Sequence, residues 1–285
     1  MTRHSIRSVA LIARDNGATI QSLSHAMLQW LSGRGIQCAS FLYDRTCSDF
    51  ATRLGVWDVV VVLGGDGTLV GVARKLAVNP CPILGVNLGK VGFLAEVAPD
   101  SWKGAFSRML DTGVRLESGM GLRYTLLRAG DVVSSGLAVN DIVVSRGGPA
   151  PLATLGLTVD GIRLARLRAD GLIVATPTGS TGYTSSARGP LLHPGINAYA
   201  VTAISPFMSY FSPMVVASET EFSITVDATD PGIYLTIDGQ ESSELQQGDV
   251  LKTTGCKDRV CFARIDEESY FAKLRSAGFM RDFTE

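Results

Sequence analysis

In the first third of the chain, short apolar runs alternate with longer amphipathic stretches. Residues 8–13 are an apolar run followed by the turn sequence Asp15, Asn16, Gly17. An amphipathic stretch over 19–31 then closes on Gly33 and Gly35, as helices commonly do. Residues 36–43 read as a strand. Residues 59–63, four valines and a leucine, form the continuous run expected of a strand buried on both faces. A helix is predicted over 68–78 and a further strand over 82–88. Strands alternating with helices imply βαβ units and a parallel, doubly wound sheet.

Near Gly113 the pattern changes. From 114 to 264 the apolar runs are short and alternating or β-branched. Turn sequences separate them: Ala129-Gly130-Asp131, Asp160-Gly161, Asp230-Pro231-Gly232 and Gly248-Asp249. A last amphipathic stretch over 267–277 predicts a closing helix. The expected fold class is therefore α/β plus all-β. A doubly wound N-terminal α/β domain would occupy residues 1–113 and a β-rich domain residues 114–265, with the C-terminal helix in 266–285 returning to the first domain. Two domains suit 285 residues, since a domain commonly takes about 100–200.

Composition narrows the function classes. Lys and Arg number 26 against 27 Asp and Glu, a net charge of −1, so the basic excess of a nucleic-acid or anionic-membrane binder is missing. Residues 8–13 are too short for the core of a signal peptide, and no apolar run approaches the roughly 18 residues that span a bilayer. Five scattered cysteines (Cys38, Cys47, Cys81, Cys256, Cys261) are an odd set typical of reduced thiols. These features predict a cytoplasmic protein with no membrane partner. Cys256 and Cys261 have the spacing of a metal half-site, but the three histidines (His4, His25, His193) lie far from them, so ordinary strand positions fit better.

Several stock motifs fail. Gly85, Gly89 and Lys90 are one residue short of a P-loop. Ser180 follows Thr178-Gly179 and so lacks the first glycine of a nucleophile elbow. Gly64, Gly65, Asp66, Gly67 and Thr68 are more informative, because they stand between a buried strand and a helix. Open α/β sheets bind ligands at that end of a strand, and glycines there bring bare N–H groups against phosphate oxygens beside the helix N-terminus. A carboxylate repels phosphate, so Asp66 needs a role: general base, Mg²⁺ ligand, or simply the cap of the helix. Residues 170–186 run from a strand over 172–175 into a sequence dense in hydroxyls and glycines, with Tyr183 for stacking. It suits a ribose or phosphate site, or a turn-rich β corner. Asn140 and Asp141 could read a base edge and a sugar hydroxyl, or merely form a turn. Asp238, Gly239 and Gln240 read as a hairpin turn.

Taken together, these four segments resemble the NAD kinase family, as do residues 87–94 and Tyr270-Phe271-Ala272-Lys273-Leu274-Arg275. The likeness extends from about Val59 onward. It implies a two-domain kinase with its active site between an α/β and a β-rich domain, using ATP or polyphosphate with Mg²⁺ to phosphorylate the adenosine 2′-hydroxyl of NAD. By this resemblance Asp66 is the base, and Gly64, Gly65, Gly67 and Thr68 hold the donor phosphates. Asp66 and Gly67 also meet the acceptor, with Asn140, Asp141, Arg168 and Asp170. Thr181, Gly182, Tyr183 and Ser186 line the base and ribose pockets, and Gln240 closes the site. A homodimer or homotetramer is implied, with neighbouring subunits completing the pocket.

The chain departs from the family at a few positions. Gly182 replaces an alanine and Arg188 a glycine. Phe207 and Ser212 replace a histidine and an arginine within an apolar segment, 206–213, that includes Tyr210 and Phe211. Those changes point to the acceptor side. They keep in view a kinase of the same fold acting on a nucleoside or polyol hydroxyl. A non-catalytic nucleotide-binding sensor is the other alternative, though a sensor has no need of Asp66.

Overall fold

The computed structural model describes residues 5–47, 49–89, 92–148, 151–208, 211–227, 232–265 and 269–280. Along the first third come β1 (Ser8–Ala13), α1 (Ala18–Ser32), β2 (Gln37–Leu42), α2 (Phe50–Leu54), β3 (Val59–Leu63), α3 (Asp66–Leu76), β4 (Ile83–Val86) and α4 (Trp102–Thr112). Six strands follow: β5 (Arg115–Arg128), β6 (Asp131–Ala138), β7 (Asp141–Arg146), β8 (Ala153–Val159), β9 (Ile162–Ala169) and β10 (Gly171–Ala175). A 3₁₀ turn (Gly179–Thr181) and the short helix α5 (Tyr183–Ser186) interrupt the β pattern. Then come β11 (Ala198–Ile204), β12 (Met214–Ala217), β13 (Phe222–Val226), β14 (Ile233–Ile237), β15 (Glu241–Leu245), β16 (Val250–Arg264) and α6 (Tyr270–Ser276). The chain divides into two compact units: Met1–Ser118 with Val260–Glu285, and Gly119–Arg259.

In the first unit the strands stand in the order β2-β1-β3-β4, all parallel, and Phe262 near the end of β16 pairs with Ile83 of β4. The order reverses between β1 and β3, so the carboxyl end of β3 lies at a topological switch point. Both strands are sealed: Val9 to Ile12 and Val59 to Leu63 have no exposed surface. Each bulky aliphatic side chain so buried contributes roughly 1.5–3 kcal/mol.

Helices α2, α4 and α5 were not anticipated by the sequence pattern. α4 buries Trp102, Ala105, Phe106 and Met109, spaced as one helical face, and it ends at Gly113 with a left-handed φ of 71°. Trp102 meets Phe106 edge-on at 5.3 Å and Trp30 of α1 at 5.7 Å. The closing helix is α6. Residues 267 and 268 of the predicted stretch lie outside the described residues, and Ser269 caps the helix by accepting the Ala272 N–H. As expected, this helix belongs with the α/β unit: Tyr270 packs against Phe93 at 5.8 Å and Leu274 is buried.

The second unit is built on a six-stranded antiparallel sheet, β12-β11-β10-β7-β14-β15. Its other β layer runs from the first residues of β16 through β13 and β8 to β9, with β5 paired to β6. Ile142, Val144, Leu172, Val174, Tyr199 and Val201 share one core with Leu122, Leu155, Phe222 and Ile224. The alternate residues of β7 and β10, Val143, Ile173 and Ala175, form a smaller core with Ala187 and Ile204. Burial on both faces explains why these strands read as unbroken apolar runs. Ala129-Gly130 and Asp160-Gly161 turn their hairpins with both residues at positive φ. Asp230 and Pro231 lie outside the described residues. No helix among the described residues is long and apolar enough to cross a membrane. None of the five cysteines forms a disulfide.

Candidate active site

In the first unit, β3 passes directly into α3. Gly65 is the N-cap, with extended backbone (φ −96°), and Asp66, Gly67 and Thr68 already form the first helical turn, two residues earlier than the pattern suggested. None of the three glycines adopts a left-handed conformation. Gly64 is required because a side chain there would collide with Thr68, while a side chain at Gly65 or Gly67 would meet open space.

Asp66 is the first helical residue and follows the N-cap. Its carboxylate turns to the segment after β4 and accepts three backbone N–H groups: Phe93 to Oδ2 at 2.7 Å, Leu94 to Oδ1 at 3.2 Å and Ala95 to Oδ1 at 3.1 Å. The alternative of a simple cap is thereby excluded. Gly92 lies against that carboxylate so closely that any β-carbon would overlap it. The cradle is braced in turn by Arg264, 6% exposed, which donates to the Leu94 carbonyl at 3.1 Å and to both carboxylate oxygens of Glu117. Burial alone would raise the Glu117 carboxyl, but the charge and hydrogen bonds of Arg264 bring it below its ordinary value. Lys90 and Val91 lie outside the described residues.

In the second unit the candidate acceptor residues fall into two clusters, at opposite ends of β7 and β10. At one end are Asn140 and Asp141. Asp141 pairs with Ala175, and the peptide of Asn140 is held by Thr176: the Thr176 N–H donates to the Asn140 carbonyl and the hydroxyl to the Val139 carbonyl. Gly179 packs directly on the Asn140 carbonyl. The buried Asn140 Oδ1 has no hydrogen-bond partner among the described residues. On the amide side the Asp238 carboxylate accepts from Val139, Asn140 and Asp141. Gln240 follows in the same turn, its N–H bonded to the Ile237 carbonyl.

Burial, and after it the neighbouring Asp238 carboxylate, push the Asp141 carboxyl up to about 7. The linkage has a definite sign. In the unfolded chain this group ionises near its reference value of about 3.9, whereas the folded protein holds the proton longer, so stability falls as pH rises between the two values. Asp141→Asn should therefore gain on the wild type progressively from about pH 4 to about pH 7 and level off above. Urea unfolding at a series of pH values checks this, and a difference that does not change with pH would contradict it.

The second cluster begins β10. Arg146 at the end of β7 holds Asp170, Nε to Oδ1 at 2.6 Å, and also donates to the Gly148 carbonyl. Arg168 is exposed, with its guanidinium 5.7 Å from the ring of Phe207, whose N–H donates to the Arg168 carbonyl. Phe207 thus does add aromatic surface beside a candidate residue. Phe211 instead packs against the core, Ser212 is exposed and Tyr210 lies outside the described residues.

The hydroxyl-rich segment is folded into helical turns and is not an open loop. Ser180 is fully buried, donating to the Pro177 carbonyl and accepting the Leu192 N–H, while the Thr181 hydroxyl donates back to Thr178. Gly182, Tyr183 and Ser186 remain exposed. Arg188 takes φ 61°, a conformation easier for the glycine it replaces.

Among the described residues no group of three or more His, Cys, Asp or Glu is placed to hold a metal ion. Cys256 is flanked by Arg123 and Arg259, whose hydrogen bonds lower its thiol against the opposing effect of burial. Sequence reasoning assigned no part to Arg146, Thr176, Arg264 or the amides of 93–95, and gave Asp238 only a turn.

Comparison with known proteins follows the same division. The ATP-NAD kinase N-terminal domain matches residues 46–114 and the ATP-NAD kinase C-terminal domain residues 139–265. An NAD kinase of Nitratidesulfovibrio vulgaris is 43% identical over 279 residues, covering 98% of this chain and 93% of the relative. One of Geobacter sulfurreducens is 33% identical, covering 95% and 98%. Among solved structures, yeast NADH kinase complexed with NADH aligns with a TM-score of 0.85 at 21% identity, a likeness of fold, over 98% of this chain and 89% of that one. An NAD kinase from Archaeoglobus fulgidus in complex with ATP aligns with a TM-score of 0.71 at 27% identity, over 95% and 100%.

Proposed function

The chain belongs to the NAD kinase family, and on that premise we propose that it transfers the terminal phosphoryl group of ATP to the adenosine 2′-hydroxyl of NAD, giving NADP and ADP. The observation that carries this reading is the Asp66 carboxylate, set at the first turn of α3 and oriented by three backbone N–H donors. A carboxylate offers about four acceptor sites. Oδ1 uses two and Oδ2 one, so Oδ2 keeps a site for the proton of the attacking hydroxyl. Asp66 takes that proton as the 2′-oxygen bonds to the γ-phosphorus and the bond to the ADP oxygen breaks. The open approach at Gly65 and Gly67, where a β-carbon would meet nothing, and the positive end of α3 support donor phosphates there. A divalent cation enters with ATP as part of the substrate and neutralises charge developing on its oxygens.

Asn140 and Asp141, with the exposed Tyr183 and Ser186, supply the acceptor contacts at one end of β10. Arg168 and Asp170 supply those at the other end, about 13 Å away at the usual strand rise. An acceptor that meets both clusters spans that length or takes the second from a neighbouring copy. Family membership supports the latter, in a homodimer or homotetramer.

Asp170→Ala removes a directional contact and breaks the ion pair with Arg146. It should raise KM for NAD by roughly 5- to 150-fold, the equivalent of about 1–3 kcal/mol, with KM for ATP nearly unchanged. Kinetics with both substrates varied test this, and a selective rise in KM for ATP would count against it. The reading as a whole is tested by offering NAD, adenosine and simple polyols to the purified protein with Mg-ATP. NAD should have the highest kcat/KM. Preference for another hydroxyl would move the function to a different acceptor.

A further inference from the structure

Asp238 looks like a turn residue and acts as more than one. Asp238 and Gly239 both take left-handed φ values, 51° and 62°, in a turn closed by the Gln240 N–H on the Ile237 carbonyl at 2.9 Å. An aspartate chosen only for such a turn leaves its carboxylate in water. This one is 9% exposed. Pairing of β14 with β7 places Ile237 opposite Ile142, which brings the turn beside the segment joining β6 to β7. There the carboxylate accepts from three consecutive backbone N–H groups: Val139 at 3.0 and 3.1 Å, Asn140 at 2.7 Å and Asp141 at 3.1 Å. The Asp238 N–H in turn donates to the Asp141 carbonyl at 2.9 Å. Three successive amides converging on one anion form a nest, and the backbone is bent around the charge at its centre.

We propose that Asp238 is a positioning residue for NAD: its carboxylate shapes the 139–141 backbone so that Asn140 and Asp141 present their side chains to the dinucleotide. The proposal rests on the reading of those two residues as acceptor ligands. Thr176 fixes the carbonyl side of the same segment and Asp238 the amide side. Held this way, Asn140 keeps a buried Oδ1 that lacks a donor among the described residues, an acceptor matched to an N–H or O–H of the bound nucleotide. The charge has a second consequence. The strand partners flanking Asp141, Ala175 on β10 and Ile237 beside Ile142 on β14, are neutral. Asp238 is the charged neighbour acting on Asp141, and it favours the protonated acid, which can donate a hydrogen bond.

The test is Asp238→Asn with Thr176→Val as comparison, both read by NAD binding in calorimetry without ATP and by steady-state kinetics. Asparagine tolerates the left-handed turn, so the fold survives, while the charge and one acceptor are lost. The dissociation constant for NAD should rise about tenfold in Asp238→Asn, with KM for ATP within about twofold of wild type. The pH midpoint of NAD binding should move lower, because Asp141 loses a reason to keep its proton. Thr176→Val should weaken NAD binding without moving that midpoint, which separates the charge from simple support of the loop. An Asp238→Asn protein with wild-type affinity, or with an unmoved midpoint, overturns the proposal while the wild type still phosphorylates NAD. A wild type that binds no NAD overturns it together with the reading beneath it.

Discussion

Asp66→Asn should lower kcat by about 10²–10⁴-fold, the usual contribution of a general base, while nucleotide binding falls far less. The amide cannot accept the hydroxyl proton, and it fits the cradle imperfectly. Its oxygen can still accept from Leu94 and Ala95, but its NH₂ then faces the Phe93 N–H, which now donates to Oδ2. One donor is left without an acceptor, at a cost to stability of about 1–3 kcal/mol. Gly92→Ala reaches the same carboxylate by another route, because a β-carbon there overlaps Asp66. Both variants should lose turnover, and only Asp66→Asn removes the base itself. Single-turnover rates at saturating ATP and NAD, beside denaturant unfolding, separate the two effects. Turnover within a few-fold of wild type in Asp66→Asn would remove the base assignment and leave Asp66 an anchor for residues 93–95.

The second large effect is expected at Gly179. Its backbone is helical, so glycine is not required there by φ. The constraint is steric: a β-carbon would overlap the Asn140 carbonyl. That carbonyl cannot swing aside, since the Thr176 N–H holds it at 2.8 Å and Asp238 holds the amide on its other side at 2.7 Å. Gly179→Ala should cost about 1–3 kcal/mol of stability, as overpacking against a fixed neighbour does. It should also raise KM for NAD more than tenfold, on the order of 1.4 kcal/mol or above. Gly182→Ala is the matched control. Its β-carbon would sit 3.3 Å from the Gly179 carbonyl, a contact that a shift of a few tenths of an ångström relieves, so the change should cost less than Gly179→Ala. Equal behaviour of the two variants would contradict the packing argument.

The legible parts of the sequence were those where side-chain type and structure correspond. Val59 to Leu63 is strand β3 from end to end because five apolar residues in a row can be buried on both faces. The parallel half, the β-rich half and the returning helix followed from similar patterns. α4 was missed because Lys103, Gly104, Ser107 and Arg108 separate its four buried residues, and a stretch so polar shows its helical face only once Trp102 and Phe106 meet Trp30.

The site divides in the same way. Asp66 stood out because a carboxylate in a glycine-rich turn is chemically out of place, but its partners are backbone amides at 93–95, which leave no trace in residue type. Asp238 was hidden because Asp-Gly already explains itself as a turn. Arg146 and Arg264 sit near the ends of strands where an arginine is unremarkable, and the structure reveals what each one holds. In the other direction, Ser180 and Thr181 of the hydroxyl-dense segment donate their hydroxyl protons to carbonyls within the fold.

The most direct measurement is the identity of the product. Purified protein incubated with ATP, a divalent cation and NAD should yield ADP and NADP in equal amounts, and phosphorus NMR of the dinucleotide should show one new monoester, on the adenosine 2′-oxygen. The same reaction with Asp66→Asn should give product only at the greatly reduced rate. A phosphate on any other hydroxyl, or ATP consumed with NAD left unchanged, would contradict the account.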